Sequence, residues 1–173
     1  MACPCGDAVV ILGTSRSDGN TRATVNHILN GKFVELADLS IMDIGSYDYQ
    51  HINRTDSFLP LVERLIGKSL WLFATPVYWY TMSAQLKLFV DRLSDLITIR
   101  KDLGRALRGK SVGVIASGTD EELPKGFEAP FRLTCNYLDM RYIGTFYLQF
   151  GKDDRPFHGD LAKVEAIRAS WFA

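Results

Sequence analysis

The chain contains 173 residues, of which 47% are hydrophobic and 23% charged, as in an ordinary globular domain and unlike a disordered or fibrous protein. The 20 Lys and Arg balance the 20 Asp and Glu, so the formal net charge at pH 7 is zero. This balance disfavours a nucleic-acid binder, which usually carries a basic excess, and a protein that binds membrane surfaces. We expect one domain spanning residues 1–173, with residues 1–7 as a loose N-terminal tail.

The cysteines and the apolar segments bear on metal binding and on localisation. Cys3, Cys5 and Cys135 are an odd number of cysteines in a chain long enough to fold without disulfides. Structural zinc needs about four ligands, and no second pair follows Cys3 and Cys5, so we expect no metal site. Neither the N-terminal segment nor the uncharged stretch 69–86 has the pattern of a signal peptide or a membrane span. We expect a cytoplasmic protein that does not bind a membrane.

Short apolar runs alternate with helical patterns along the chain. Ala8–Leu12 is a continuous apolar run that ends at a glycine, which predicts a strand buried on both faces. Further strands are predicted at residues 33–37, 69–74, 111–116 and 142–150. Helices are predicted, from apolar residues at helical spacing, at residues 21–29, 58–66, 86–97, 127–139 and 161–172. Five strands separated by helices predict an α/β fold, a doubly wound parallel sheet with helices on both faces.

The first strand-end loop, residues 13–21, reads Gly-Thr-Ser-Arg-Ser-Asp-Gly-Asn-Thr and runs from a strand into a helix. Doubly wound sheets bind ligands beyond the carboxyl ends of their strands. A phosphate group needs converging donors, a positive charge and close backbone approach, which the hydroxyls, Arg16, Gly19 and the helix N-terminus supply. The predicted phosphate contacts are Ser15, Arg16, Ser17, Asn20 and Thr21. The plainer alternative is a polar turn with Asn20 as the helix N-cap.

A second segment, residues 104–111, matches the nucleotide-binding expression G-x-x-x-x-G-K-[ST] letter for letter. That motif works only when a strand precedes the loop and a helix follows it. Here the segment leads into the predicted strand 111–116, so the order is reversed. We interpret the match as accidental and the segment as a solvated basic turn.

Two further strand-end loops carry candidate ligand contacts. Residues 75–83 include three adjacent aromatic residues, Tyr78, Trp79 and Tyr80, which cannot all enter a core from an irregular segment. Such a loop suits a flat heteroaromatic ligand; the alternatives are a hydrophobic plug or a subunit interface. Residues 117–122 follow the next strand and, taken alone, resemble an ordinary acidic turn.

Residues 13–21 and especially residues 74–93 resemble the flavodoxin-like NAD(P)H-dependent FMN reductases, a family that includes quinone reductases and azoreductases. The resemblance implies a five-stranded sheet in the order 2-1-3-4-5, with FMN at the switch point and its phosphate on the first loop. The isoalloxazine would lie against Pro76, Val77, Tyr78 and Trp79. Its pyrimidine edge would lie near Ser117, Gly118 and Thr119. Many relatives have a second glycine where this chain has Thr119, and the cysteine cluster of the iron–sulfur members is absent.

The resemblance implies an FMN-dependent oxidoreductase that works by ping-pong hydride transfer. NADPH or NADH would reduce the flavin, and a quinone, azo compound, free flavin or similar small acceptor would then reoxidise it. We expect no catalytic acid or base, because hydride passes directly between two rings. The related enzymes commonly pair, so we expect a homodimer or homotetramer, with the aromatic loop at or near the contact.

The sequence disfavours two alternative functions. A flavodoxin-type electron carrier would bind FMN without turning over NAD(P)H, but such carriers usually have a one-signed surface, and this chain has zero net charge. A phosphoacceptor receiver domain needs acidic residues where this chain has Gly13, Thr14 and Thr75. The sequence does not choose between NADH and NADPH. Four basic residues could contact the 2′-phosphate of NADPH: Arg100, Lys101, Arg105 and Arg108. A solvated face is the commoner reason for such a run of charges.

Overall fold

The computed structural model describes residues 7–151 and 161–172, and its centre is a parallel β-sheet. The strands are β1 (Ala8–Leu12), β2 (Glu35–Asp38), β3 (Leu70–Pro76), β4 (Ser111–Gly118) and β5 (Arg141–Gln149). All neighbouring strands are parallel and their order is β2-β1-β3-β4-β5. This is the predicted flavodoxin-like order, so the predicted fold class is confirmed.

The helices connect successive strands and pack on the sheet. They are α1 (Asn20–Leu29), α2 (Phe58–Leu65), α3 (Ala84–Thr98), α4 (Lys101–Ala106), α5 (Ala129–Tyr137) and α6 (Leu161–Trp171), with a short 3₁₀ helix at Leu39–Ile41. No helix within the described ranges is long and apolar enough to cross a membrane. Cys3 and Cys5 lie outside the described residues, as do residues 1–6 of the tail expected at residues 1–7. Asp7, the last residue of that tail, is held to the start of β3, because the N–H of Ser69 donates to its carbonyl oxygen at 3.0 Å.

The two faces of the sheet bury separate hydrophobic cores. Successive side chains of a strand point to opposite faces, so Val9 and Ile11 join one core while Val10 and Leu12 join the other. The first core packs against α2, α3 and α5, and the second packs against α1 and α6. The prediction of a strand buried on both faces is therefore confirmed for β1.

Element boundaries differ from the sequence predictions in two informative places. The second strand begins at Glu35 and not at residue 33, and Phe33 is 94% exposed. β3 continues to Pro76, because it pairs with β4 as far as Ser117. The longer β3 carries the aromatic loop further beyond the edge of the sheet than the sequence pattern indicated.

The segment that matches the nucleotide-binding expression contains a helical turn that the sequence did not predict. Gly104 lies within α4, where a Cβ would come 2.1 Å from the carbonyl oxygen of Leu96, so glycine lets α4 pack against the end of α3. Gly109 then turns the chain with φ +80° into β4. The order is helix, turn and strand, which confirms that this segment is not a phosphate loop. The interpretation of residues 104–111 as only a turn is wrong.

Candidate functional site

The carboxyl ends of β1, β3 and β4 meet at the point where the strand order reverses, between β1 and β3. The loops that follow these strands enclose a cleft of about 340 Å³. Its lining residues are Thr14, Arg16, Gly19, Asn20, Thr21, Pro76, Val77, Tyr78, Ser117, Gly118 and Thr119. All the residues singled out from sequence line this cleft except Ser15, Ser17 and Trp79.

The N-terminus of α1 opens into the cleft as an uncapped positive helix end. Gly19 is the N-cap, so no side-chain hydrogen bond caps the helix, and the first turn contains no acidic residue. Asn20 is the first helical residue, which corrects the alternative that made it the N-cap. A Cβ at Gly19 would lie 3.5 Å from Arg16 Nε, so the guanidinium sits beside the helix end. A cation beside the N–H groups of a helix's first turn is the chemistry of an anion site.

Two predicted contacts, Thr21 and Ser117, are joined to each other at the floor of the cleft. Both side chains are buried, and their hydroxyl oxygens are 2.8 Å apart. Because a hydroxyl has one proton, one of the pair donates to the other and the acceptor keeps its own proton for a further bond. This bond ties α1 to the end of β4.

The aromatic loop after β3 forms a tight two-residue turn. The N–H groups of Tyr78 and Thr81 donate to each other's carbonyl oxygens at 2.9 and 3.1 Å. Trp79 and Tyr80 occupy the centre with φ of 48° and 67°, the left-handed geometry of a type I′ turn, which normally selects Asn and Gly. Trp79 is 90% exposed and Tyr80 is 67% exposed. The alternative of a hydrophobic plug within this chain is therefore wrong, and the turn holds backbone strain of the kind found at functional sites.

The loop after β4 is held by side chains of β5. A Cβ at Gly118 would come 2.8 Å from Tyr147 Oη, so glycine is required for the close approach of this tyrosine. Tyr147 Oη donates to the carbonyl of Asp120 at 2.7 Å, and Gln149 Nε2 donates to that of Thr119 at 3.1 Å. Burial raises the pKa of Tyr147, so it remains a neutral donor at pH 7. These bonds fix the loop that begins at Thr119.

Sequence reasoning missed one polar residue beside the first loop. Gln85, in the first turn of α3, places Nε2 3.5 Å from Ser15 Oγ. Its Oε1 is buried and has no hydrogen-bond partner among the described residues. A buried acceptor without a partner is rare in folded proteins, but Gln85 does not line the cleft. The one sequence signal for Gln85 was its position two residues after Ser83, the N-cap of α3, which places it in the first turn of that helix.

The basic residues considered for a 2′-phosphate lie away from the cleft. α3 begins beside the cleft and has 15 residues, so its far end is about 22 Å distant. Arg100 follows that far end and is paired with Glu63 and Asp102, while Arg108 is paired with Asp139. The interpretation of this run as a solvated face is the better one. Within residues 7–151 and 161–172, no three His, Cys, Asp or Glu side chains are grouped so as to hold a metal ion.

Comparison with known proteins agrees with this geometry. Residues 7–154 match the model of the family described as NADPH-dependent FMN reductase. YwqN of Bacillus subtilis (strain 168), which has the provisional name NAD(P)H-dependent FMN-containing oxidoreductase, is 30% identical over 169 residues, 89% of this chain and 88% of that protein.

Two solved structures extend the comparison. The Trp repressor binding protein from Bacillus subtilis has a TM-score of 0.69 at 26% identity, over 94% of this chain and 92% of that one. The FMN-dependent NADH-azoreductase from Bacillus anthracis str. Ames Ancestor, in complex with FMN, has a TM-score of 0.61 at 11% identity, over 94% and 93% of the two chains. At that identity, the second likeness shows the fold alone.

A doubly wound sheet of this order, with a helix N-terminus and a cleft at its switch point, defines a flavodoxin-like protein. The chain belongs to the NADPH-dependent FMN reductase family, because the family model covers residues 7–154. It is an oxidoreductase that uses FMN and NAD(P)H. The predicted enzyme class is confirmed, and the alternative of an electron carrier without turnover is not supported.

The residues of the cleft fit FMN. Arg16 and the uncapped end of α1 suit a phosphate dianion. Pro76, Val77 and Tyr78 offer an apolar and aromatic wall that suits a flat ring.

Proposed function

We propose that this protein holds FMN in the cleft and transfers hydride from NADPH or NADH to a quinone, a free flavin, an azo compound or a similar small acceptor. Bound FMN would supply the redox chemistry, taking hydride from the nicotinamide and passing it to the acceptor in a second step. The observation that carries the proposal is one cleft at the switch point, lined both by Arg16 and the N-terminus of α1 and by Pro76, Val77 and Tyr78. Family membership supports the same reaction class.

The phosphate end of the proposed site depends on charge. Arg16 would pair with the phosphate, and the first-turn N–H groups of α1 would donate to it, helped by the positive end of the helix dipole. Asn20 and Thr21 begin the same helix and line the cleft. Charged hydrogen bonds of this kind are about twice as strong as neutral ones, so this end would supply most of the preference for FMN over riboflavin.

The ring end of the proposed site depends on shape and on backbone donors. Pro76, Val77 and Tyr78 would shape the wall beside the isoalloxazine, whereas Trp79, expected there from the sequence, does not line the cleft. Ser117, Gly118 and Thr119 would lie near its pyrimidine edge, where backbone N–H groups stabilise the negative charge that reduction creates. Hydride passes directly between two rings, and no histidine among the described residues lines the cleft, so no side chain is assigned as an acid or base in the reductive step. The nicotinamide cofactor and the electron acceptor would occupy the same space beside the flavin, one after the other.

The test of the phosphate end is Arg16→Ala, measured with two flavins. Dissociation constants for FMN and riboflavin would be measured by flavin fluorescence. Only FMN presents a dianion to Arg16, so we expect FMN binding to weaken by roughly 10- to 150-fold, from a charged hydrogen bond of about 1.5–3 kcal/mol, and riboflavin binding to change little. Arg132→Ala, at an exposed position on α5, is the matched control. An equal loss for both flavins would show that Arg16 only shapes the loop.

We also propose that the protein is a homodimer or homotetramer. Trp79 and Tyr80 are exposed beside the cleft, and Ile97, Leu133 and Tyr137 are exposed on the faces of α3 and α5. Solvent-exposed aromatic and aliphatic groups of this number mark interaction surfaces. Light scattering at micromolar protein concentration should give at least twice the mass of one chain. A monomer under those conditions would refute the proposal.

The proposed location is the cytoplasm. NADH and NADPH are produced and used there, and Cys135 is a buried free thiol, as is common in reducing compartments. Cell fractionation followed by immunodetection should recover the protein with cytoplasmic enzymes, and recovery from a secreted fraction would contradict the proposal.

A further inference from the structure

Ser17 lies in the loop proposed to bind phosphate, but its hydroxyl contacts the end of β2. Ser17 Oγ is 2.9 Å from Ser40 Oγ. Ser40 Oγ is in turn 2.7 Å from Asp38 Oδ1, and the backbone N–H of Ser40 donates to the same oxygen at 3.0 Å. Asp38 is the last residue of β2 and is only 8% exposed. The three side chains form a chain of hydrogen bonds from a buried carboxylate to the loop.

The direction of each hydrogen bond follows from the number of protons. Burial alone would raise the pKa of Asp38, but the hydrogen bonds from Ser40 and Ser17 and the charge of Arg22 outweigh it and lower the pKa. Asp38 is therefore ionised and can only accept. Ser40 gives its one hydroxyl proton to Asp38, so the one proton of Ser17 goes either to Ser40 Oγ or directly to the Asp38 carboxylate. Ser17 then has only lone pairs left, which repel a phosphate oxygen.

We infer that Asp38, acting through Ser40 and Ser17, is a positioning group for the phosphate loop, and that Ser17 is not itself a phosphate ligand. This inference rests on the proposed function, in which the FMN phosphate binds this loop. It changes the role of Ser17 from the direct contact expected from the sequence to an anchor.

The loop has a separate anchor on the other side of β1. The N–H of Gly13 donates to the carbonyl of Ala74 at 2.8 Å, and Ser83 Oγ donates to the carbonyl of Gly13 at 2.7 Å. The start of the loop is thus fixed to β3 and α3, while its middle is fixed to β2 through Ser17. A loop held at both places loses less conformational freedom when it binds a ligand. The chain of hydrogen bonds would therefore raise FMN affinity without touching the phosphate.

The test compares single and double variants of the full-length FMN-loaded protein. FMN release on dilution would be followed by flavin fluorescence for Ser17→Ala, Ser40→Ala and the double variant. We expect each single variant to weaken FMN binding about 3- to 10-fold, as for one net hydrogen bond. The double variant should be no weaker than either single one, because both changes break the same connection. Ser40→Thr keeps the hydroxyl and should restore affinity to within about twofold of the unchanged protein.

Two controls separate positioning from general damage. Ser170→Ala removes an exposed serine hydroxyl on α6 and should not change FMN release. Riboflavin has no phosphate, so its binding should be nearly unchanged in all three alanine variants. Equal weakening of FMN and riboflavin would mean that the chain of hydrogen bonds only stabilises the fold, which would overturn the inference.

The remaining outcomes distinguish this inference from the proposed function. If Ser17→Ala weakens FMN and Ser40→Ala does not, Ser17 contacts the phosphate directly and the inference is wrong. If neither serine matters but Arg16→Ala still discriminates between FMN and riboflavin, the inference fails and the proposed phosphate site stands. If Arg16→Ala fails to discriminate, the proposed phosphate site fails and the inference fails with it.

Discussion

Arg16 and Arg92 show two opposite uses of the same side chain. Arg16 is exposed at the mouth of the cleft, beside an uncapped helix. Arg92, on α3, is 1% exposed and forms ion pairs with Asp56 and Asp95, the second with Nε 2.7 Å from Oδ2. It also donates to the carbonyl oxygens of Gly45 and Asn53 at 3.1 Å each. One guanidinium is kept available for an anion and the other is fully used inside the protein.

The buried arginine organises the long loop between β2 and α2. The ends of this loop are joined by a hydrogen bond from the N–H of Ser57 to the carbonyl of Asp43 at 2.9 Å, as in a compact Ω-loop. His51 Nδ1 is 2.7 Å from Asp95 Oδ1, which attaches the middle of the loop to α3. The comparison teaches that charged groups with internal partners stabilise the fold, whereas those left without partners near the cleft are available to bind.

The largest effect on stability is expected from removing the buried arginine. Arg92→Ala leaves Asp56 and Asp95 buried without their cation, so we expect the free energy of unfolding to fall by about 3–5 kcal/mol. Urea unfolding followed by circular dichroism measures this change. Lys87→Ala, which breaks the exposed Lys87–Asp91 pair on the same helix, should change it by less than about 1 kcal/mol. Similar losses for the two variants would show that burial of Arg92 does not matter.

Acid should weaken the buried region through Asp56. Burial alone would raise the pKa of Asp56, but the hydrogen bonds from Arg92 and from the N–H groups of Phe58 and Gly45 lower it below the ordinary 3.8. A carboxyl whose pKa is lowered by folding stabilises the protein above the unfolded pKa, and this stabilisation is lost as pH falls through the folded pKa. The free energy of unfolding should therefore drop below about pH 4.

Asp56→Asn tests the assignment of this acid dependence. The variant loses a charged hydrogen-bond partner of Arg92, so at pH 7 we expect it to be about 1.5–3 kcal/mol less stable. Its free energy of unfolding should then depend less steeply on pH below 4 than that of the unchanged protein. Equal slopes for the two proteins would show that Asp56 does not carry the acid dependence.

Substitutions in the exposed turn at Trp79 and Tyr80 should raise the stability of the protein, whereas those in the buried cluster around Arg92 should lower it. Replacing Trp79 and Tyr80 together by Asn and Gly supplies the residues that a type I′ turn prefers, so we expect the protein to gain about 1 kcal/mol of stability. The same change removes aromatic surface beside the cleft and should weaken FMN binding. Asn30→Gly, at the left-handed C-cap of α1, is the control and should leave FMN binding unchanged. Loss of stability in the turn variant would contradict the strain argument.

How much could be predicted from the sequence differs between these two regions. The strands and most of the cleft follow from apolar runs and strand-end loops, because both are local patterns, whereas the strand order followed from the family resemblance. Arg92 gave no signal of its own, since its partners Asp56 and Asp95 are 36 and 3 residues away and only folding brings all three together. The role of Ser17 was hidden for the same reason, because Ser40 is 23 residues away in sequence.

The smallest expected effect is that of Tyr78→Phe. Tyr78 lines the cleft, and we propose its hydroxyl as a donor to an oxygen of the acceptor in the second half-reaction. Reduction of the flavin by NAD(P)H needs distance and stacking rather than a proton from this residue. We therefore expect the anaerobic rate of flavin bleaching by NADH or NADPH to stay nearly constant in the variant, and quinone turnover to slow only slightly. Stopped-flow absorbance measures the first rate and steady-state assays measure the second. A fall of roughly 100-fold or more in the bleaching rate, typical of a lost acid or base, would show that Tyr78 takes part in the reductive step and that the cleft is more than a wall for the ring.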